Sequence, residues 1–107
     1  MEIITISGRV SSDAEKLTDR KGSEYIRFRV GCWRKDEKGK DIITSYNCYS
    51  YFTGYSRLKR GDTVFLSGMF VQKINTGTDG KEHVNNQVFV EHLSKAGHIK
   101  NDTGDNE

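Results

Sequence analysis

The stretch Glu24–Phe52, EYIRFRVGCWRKDEKGKDIITSYNCYSYF, decides how the chain is read. In its first ten residues Ile26, Phe28, Val30 and Cys32 share one parity, while Tyr25, Arg27, Arg29 and Trp33 share the other. Successive side chains on a strand point to opposite faces, so this pattern predicts a strand with one apolar face and one aromatic, basic face. A strand that merely faced water would carry Thr, Ser, Lys and Glu there. Rings stack on bases and guanidiniums hold phosphates, so the face suits a single-stranded nucleic acid.

Outward from that strand, Arg34–Asp41 is a polar run with four bases, three acids and one glycine. It reads as a hairpin tip projecting into solvent, and in a functional reading as an arm closing over a bound strand. A second strand follows over Ile42–Phe52. Tyr46, Cys48, Ser50 and Phe52 share one parity; Ile43, Tyr49 and Tyr51 share the other. The first phase puts Tyr46 and Phe52 on the face of Trp33 and turns Tyr49 and Tyr51 inward, where each hydroxyl needs a partner. The inverted phase exposes Tyr49 and Tyr51 instead.

The rest of the chain supplies three more strands. Residues 2–10 alternate with Ile4, Ile6, Gly8 and Val10 toward a core, and Ser11–Leu17 extends that strand after a kink. Gly8 inside it suggests a bulge or bend. Asp19–Gly22 is a turn. Thr53–Asp62 offers the one helix, of two turns at most, with Leu58 as its aliphatic anchor and Gly61 ending it. Val64, Leu66, Gly68 and Phe70 then alternate with Phe65, Ser67, Met69 and Val71, apolar on both faces, which predicts cover on both sides. Lys73–Lys81 contains Asp79-Gly80 and reads as a second hairpin tip. A last strand over 82–92 buries Val88 and Val90, and residues 94–107 form a polar, disordered tail. Five strands, a short helix between the third and fourth, and two polar tips fit an all-β, five-stranded Greek-key barrel of the OB type over residues 1–93.

Composition narrows the classes. The 107 residues include 11 Gly and no Pro, which suits short strands joined by glycine turns. The net charge is +2, but the acids Asp102, Asp105 and Glu107 fall in the last seven residues, so the body before them is more basic. That balance permits phosphate binding without demanding it. No window approaches the ~18 apolar residues of a membrane span, and the start MEIITISGRV lacks a basic signal region. Cys32 and Cys48 stand sixteen apart without a CxxC, and His83, His92 and His98 have no ligand spacing to them, so neither a metal nor a cofactor is expected. Two reduced thiols fit a cytoplasmic protein. No nucleophile–base pair, carboxylate cluster or phosphate loop points to an enzyme.

With that pattern in view, the sequence resembles the bacterial single-stranded DNA-binding protein family. The resemblance rests on ISGRV, LTDRKGSEYIRFRVGCW, TSYNCYSYF and RGDTVFLSGMF, in that order, and covers roughly residues 1–93. It implies an OB fold, assembly as a homo-tetramer or homo-dimer, nucleoid association, and coating of single-stranded DNA without sequence preference. It also implies stacking on Trp33, Tyr46 and Phe52, the positions where the family carries its aromatics. Tyr25, Arg27, Arg29, Arg34, Lys35, Lys73 and Lys81 are the remaining candidates, for a ring contact and for phosphates. Departures are visible. Ile74-Asn75 stands where a further ring is usual, and the segment between strands three and four is short. The acidic end NDTGDNE lacks the family's terminal Pro-Phe, which argues against recruitment of repair or replication enzymes through the tail and is compatible with a phage or mobile-element source. An RNA-binding or replication-restart OB module shares the stacking surface, and a protein-interaction adaptor would use the aromatic face as an interface.

Overall fold

Alternating apolar residues build five strands: β1 Glu2–Thr18, β2 Glu24–Lys35, β3 Asp41–Ser50, β4 Asp62–Thr76 and β5 Glu82–His98. The computed structural model describes residues 1–52, 54 and 57–98. The strands close into a barrel in the order β1-β2-β3-β5-β4, with β4 returning to β1. Every neighbouring pair is antiparallel except β3 and β5, which run parallel through Asn47–Tyr49 and Gln87–Phe89. This is the five-stranded Greek-key barrel expected from the sequence.

The interior is one cluster. Ile6 and Val10 of β1, Ile26, Phe28 and Val30 of β2, Val64 and Leu66 of β4, and Val88 and Val90 of β5 are buried together with Cys48 and Leu58. Fully burying a side chain of the Phe28 or Ile26 kind contributes about 1.5–3 kcal/mol. Strand pairing is close enough to require glycine at two places. A Cβ on Gly8 would lie 2.5 Å from the Gly31 carbonyl oxygen, and one on Gly68 would fall against the Phe89 carbonyl. Gly8 therefore lets β1 approach β2. The expected irregularity in β1 lies further on, between Val10 and Ser12 and again between Ser12 and Glu15, where the register slips and the strand bends.

Three hairpin tips share one construction. In the first, the amide of Asp19 donates to the Ser23 carbonyl and the Asp19 carboxylate accepts from the amides of Lys21 and Ser23. The tip at Asp36–Lys40 repeats this residue for residue, with Asp36 accepting from Lys38 and Lys40. The tip at Gly77–Lys81 keeps the backbone pattern and draws its carboxylate from Asp79. The second and third close on Gly39 and Gly80, whose φ of 79° and 78° place them in the left-handed region that glycine alone enters freely.

The helix expected over Thr53–Asp62 falls largely outside the described residues: Thr53, Tyr55 and Ser56 are not described, Gly54 has 3-10 geometry, and Asp62 already begins β4. Leu58, its expected anchor, is buried, its carbonyl accepting from the Ala14 amide. The last strand is longer than expected. It continues past Leu93 to His98, paired with β4 down to Asp62, because Lys95 reaches the buried Asp62 carboxylate at 3.5 Å. Residues 99–107 of the expected tail lie outside the described residues.

Candidate nucleic-acid interface

The β2–β3 hairpin carries two faces, and cross-strand pairing shows which side chains share each. Residues directly opposite in an antiparallel pair point the same way. Arg27 pairs with Tyr49, Arg29 with Asn47, Trp33 with Ile43 and Lys35 with Asp41, and the Tyr25 ring stands 5.7 Å from that of Tyr51, just beyond β3. These are the outer pairs. The expected aromatic and basic face of β2 is therefore present, with Arg27 and Arg29 between Trp33 at one end and Tyr25 at the other. Trp33 is 55% exposed, and Gly31 beside it leaves room for the ring, whose nearest carbon stands 3.7 Å from where a glycine Cβ would be. Lys35 is tied to Asp41 at 2.7 Å and Arg27 to Glu15 at 2.7 Å. Arg29 bonds instead to the neutral Asn47 amide oxygen at 3.2 Å, which leaves its positive charge uncompensated by a carboxylate among the described residues.

The inner pairs correct the phase expected for β3. Tyr46 lies opposite Val30, Cys48 opposite Phe28 and Ser50 opposite Ile26. Cys48 and Ser50 are buried, and Tyr46 is half-buried against the core. Tyr46 thus does not share the face of Trp33; the inverted phase, with Tyr49 and Tyr51 outside, is the real one. The serine hydroxyl is satisfied because Ser50 Oγ accepts from the Phe52 amide at 3.0 Å as the strand ends. Phe52 itself lies beyond β3, 58% exposed, at the opposite end of the hairpin from Trp33.

Tyr46 still meets Trp33, but around an edge. Beyond the core, the inner face of the β2–β3 hairpin and the extended β4–β5 hairpin flank a groove of about 400 Å³ lined by Trp33, Arg34, Tyr46, Phe70, Gln72 and Asn86, among others. Tyr46 and Phe70 meet edge to face at 6.2 Å within it. Burial, then the neighbouring Cys32, pushes the Tyr46 hydroxyl above the usual tyrosine range, so the ring is neutral at physiological pH. On its other side Trp33 borders a hollow with Arg9 and Phe65. The indole is a wall between two recesses, each with a guanidinium and a second ring.

At the far end of the outer face the candidate Tyr25 is joined by three residues that were not site candidates, Tyr49, Tyr51 and Phe89. Tyr25, Tyr49, Tyr51 and Phe89 form one patch: Tyr25 to Tyr51 is 5.7 Å, Tyr25 to Tyr49 6.5 Å, and Tyr49 stacks on Phe89 at 5.5 Å. Lys73 and Gln87 border it. Tyr51 donates to Asp19 Oδ2 at 2.9 Å. Phe89 carried no signal, because a parallel partner across the barrel cannot be read from local alternation. Lys81 is exposed on the Gly77–Lys81 tip, away from both patches in sequence register. Among the described residues no His, Cys, Asp and Glu group could hold a metal ion, and no helix is long and apolar enough to cross a membrane.

No protein-family model matches the chain. The mitochondrial single-stranded DNA-binding protein rim1 of Schizosaccharomyces pombe is 26% identical over 86 residues, covering 74% of this chain and 55% of that protein. This chain thus spans about half the length of that curated relative. Among solved structures, the small single-stranded DNA-binding protein of Streptomyces coelicolor superposes with a TM-score of 0.70 at 17% identity, covering 88% of this chain and 93% of its own. The Plasmodium falciparum protein of the same name, solved with single-stranded DNA, gives 0.69 at 13% identity over 89% and 94%. The chain resembles the single-stranded DNA-binding proteins in sequence and in fold. The relative from Schizosaccharomyces pombe is mitochondrial, so the likeness does not single out the bacterial cytoplasm that the sequence suggested.

Proposed function

We propose that the chain binds single-stranded DNA without sequence preference, by stacking bases on Trp33 and on the rings of the neighbouring groove while Arg27, Arg29, Arg34 and Lys35 hold phosphates. One observation carries the reading: the only tryptophan is 55% exposed at the lip of a groove containing Arg34, Tyr46 and Phe70, on a face containing two arginines. An indole left in water keeps the burial free energy that a covering ligand can release. Each stacked base contributes about 1–3 kcal/mol regardless of its identity, because every base has a π-face. Duplex DNA is a poor ligand, since its bases are already stacked on one another.

Protection of single strands in replication, recombination or repair is the role that such binding serves. Phe52, Tyr25, Lys73 and Lys81 belong to the same proposed surface, at greater distance from Trp33. The reading includes a homo-oligomer, dimer or tetramer. Ile3 and Phe65 are 58% and 50% exposed on the outer face of β1 and β4, where Ile3 pairs with Met69. No catalytic step, cofactor or metal is part of it.

A gel shift with labelled oligo-dT, the same length of RNA and a duplex of that length tests the proposal. Binding of oligo-dT well ahead of duplex is expected. Tighter binding of RNA favours the RNA module, and binding of none at low salt favours the adaptor.

A further inference from the structure

We propose that Tyr25, Tyr49, Tyr51 and Phe89 are a second base-stacking platform, onto which a strand bound at Trp33 runs after crossing Arg27 and Arg29. The inference rests on the proposed binding at Trp33 and extends it to Tyr49, Tyr51 and Phe89, which join the candidate Tyr25 in one site.

The patch is a surface feature of the barrel wall. Its residues occupy the outer register of β2, β3 and β5, while the inner register beneath is filled by Phe28, Cys48 and Val88. The rings therefore add nothing to the core, yet they touch one another over 5.5–6.5 Å and form a connected aromatic surface. Tyr51 is 61% and Phe89 38% exposed. Three contacts hold them: Tyr51 donates to Asp19, the Tyr49 hydroxyl accepts from Gln87 at 3.5 Å, and Tyr49 lies flat on Phe89. Aromatic rings fixed in position by their polar ends lose little entropy when a base stacks on them.

Charge selects the occupant. The cations bordering the patch are Arg27, Arg29 and Lys73. Glu15 pairs with Arg27 and Asp19 keeps its charge in the turn, so three cations stand against two carboxylates, and Arg29 and Lys73 are the cations left without one among the described residues. A second copy docking about a twofold axis would set this basic patch against itself. A phosphodiester chain neutralises it. Trp33 and Tyr25 are eight residues apart along β2, roughly 26 Å at ~3.3 Å per residue, so a single strand covering both must be longer than one that covers Trp33 alone.

The test compares a short and a long oligo-dT, of ~4 and ~12 nucleotides, which span the low and upper ranges used by OB folds. Trp33 fluorescence reports binding at its own end in both cases. For the wild-type chain the long oligonucleotide is expected to bind the more tightly. In Tyr51→Ser/Phe89→Ser its affinity is expected to fall about tenfold, while that of the short one changes less than about twofold. An equal loss for both, no loss for either, or a smaller particle mass in the double variant overturns the inference while leaving binding at Trp33 intact. Absence of quenching by either oligonucleotide in the wild type overturns the proposed function itself. Wild-type protein crosslinked to oligo-dT containing 4-thiothymidine supplies a reading that does not depend on the variant folding. Adducts on peptides carrying Tyr25, Tyr49, Tyr51 or Phe89 are expected, and adducts confined to the Trp33 hairpin overturn it.

Discussion

Individual residues of β2 and β3 show why one strand was legible and the other was not. On β2, Ile26, Phe28 and Val30 alternate with Arg27 and Arg29, so solvation free energy separates the faces unambiguously. On β3 the buried positions are Cys48 and Ser50, one small thiol and one hydroxyl, while Tyr49 on the other face is half-buried and Tyr51, just past the strand, is exposed. Hydrophobicity alone ranks tyrosine above serine for burial and so inverts the phase. Small residues belong inside here because Phe28 opposite already fills that space. The consequences for Tyr46 are direct. Trp33→Ala is expected to weaken binding of oligo-dT by about 1–3 kcal/mol without lowering the melting temperature, whereas Tyr46→Ala lowers both, since Tyr46 packs on the core and on Phe70. Titration calorimetry and a thermal melt on each variant separate the two roles. Cys48 has a further signature. Burial pushes its thiol up to about 12, so it stays protonated in the native barrel. Its folded value is raised, so its contribution to stability is complete below the ordinary thiol range and is lost as pH rises from there toward about 12. Native protein at pH 8 is expected to leave Cys48 unmodified by iodoacetamide, with modification appearing only in denaturant; mass spectrometry of the labelled peptide reads the outcome.

At the scale of elements, the turns were readable and the joins between strands were not. Asp19–Gly22, Gly39 and Asp79-Gly80 announced three tips because carboxylate-to-amide bonds and left-handed glycines are local chemistry. Gly8 suggested a bend and Gly68 nothing specific, whereas each serves a close strand approach whose partner is distant in sequence. Gly68→Ala is expected to cost more than the ~1–3 kcal/mol usual for overpacking, because the obstacle is the Phe89 backbone. Gly31→Ala, whose nearest neighbour would be 3.7 Å away, is expected to be tolerated. Denaturant midpoints of the two variants check the contrast. The Asp19 turn responds to acid. Bonds from the Ser23 amide and then the Tyr51 hydroxyl hold its carboxyl below the usual range. A depressed folded value means the turn's contribution is complete above the ordinary carboxylate range and disappears as pH falls through it. Protection factors of the Lys21 and Ser23 amides, taken against their intrinsic exchange rates, are therefore expected to fall in acid, and Asp19→Asn to remove that pH dependence; constant protection across the range contradicts the assignment.

For the whole molecule, the barrel is closed by β3 and β5 pairing in parallel, and the long β4–β5 hairpin leaves the core to form one wall of the groove. Five short alternating segments were enough to indicate a Greek-key barrel, because that architecture solves the exposed-edge problem for so few strands. The extent of β5 was not indicated, because its last turns are polar and are held by pairing with β4. The charge of the chain sets a prediction at this scale. Each phosphate held by a lysine or arginine releases counterions, so log affinity for oligo-dT should fall with log salt by about 0.7 per contact. Four contacts from Arg27, Arg29, Arg34 and Lys35 give a slope near −3, measurable by titration between low and moderate salt. The central claim is tested most directly by the fluorescence of Trp33, the one tryptophan of the chain, titrated with oligo-dT at low salt. Saturable quenching that duplex DNA of the same length does not reproduce is the predicted result; unchanged emission with both would contradict it.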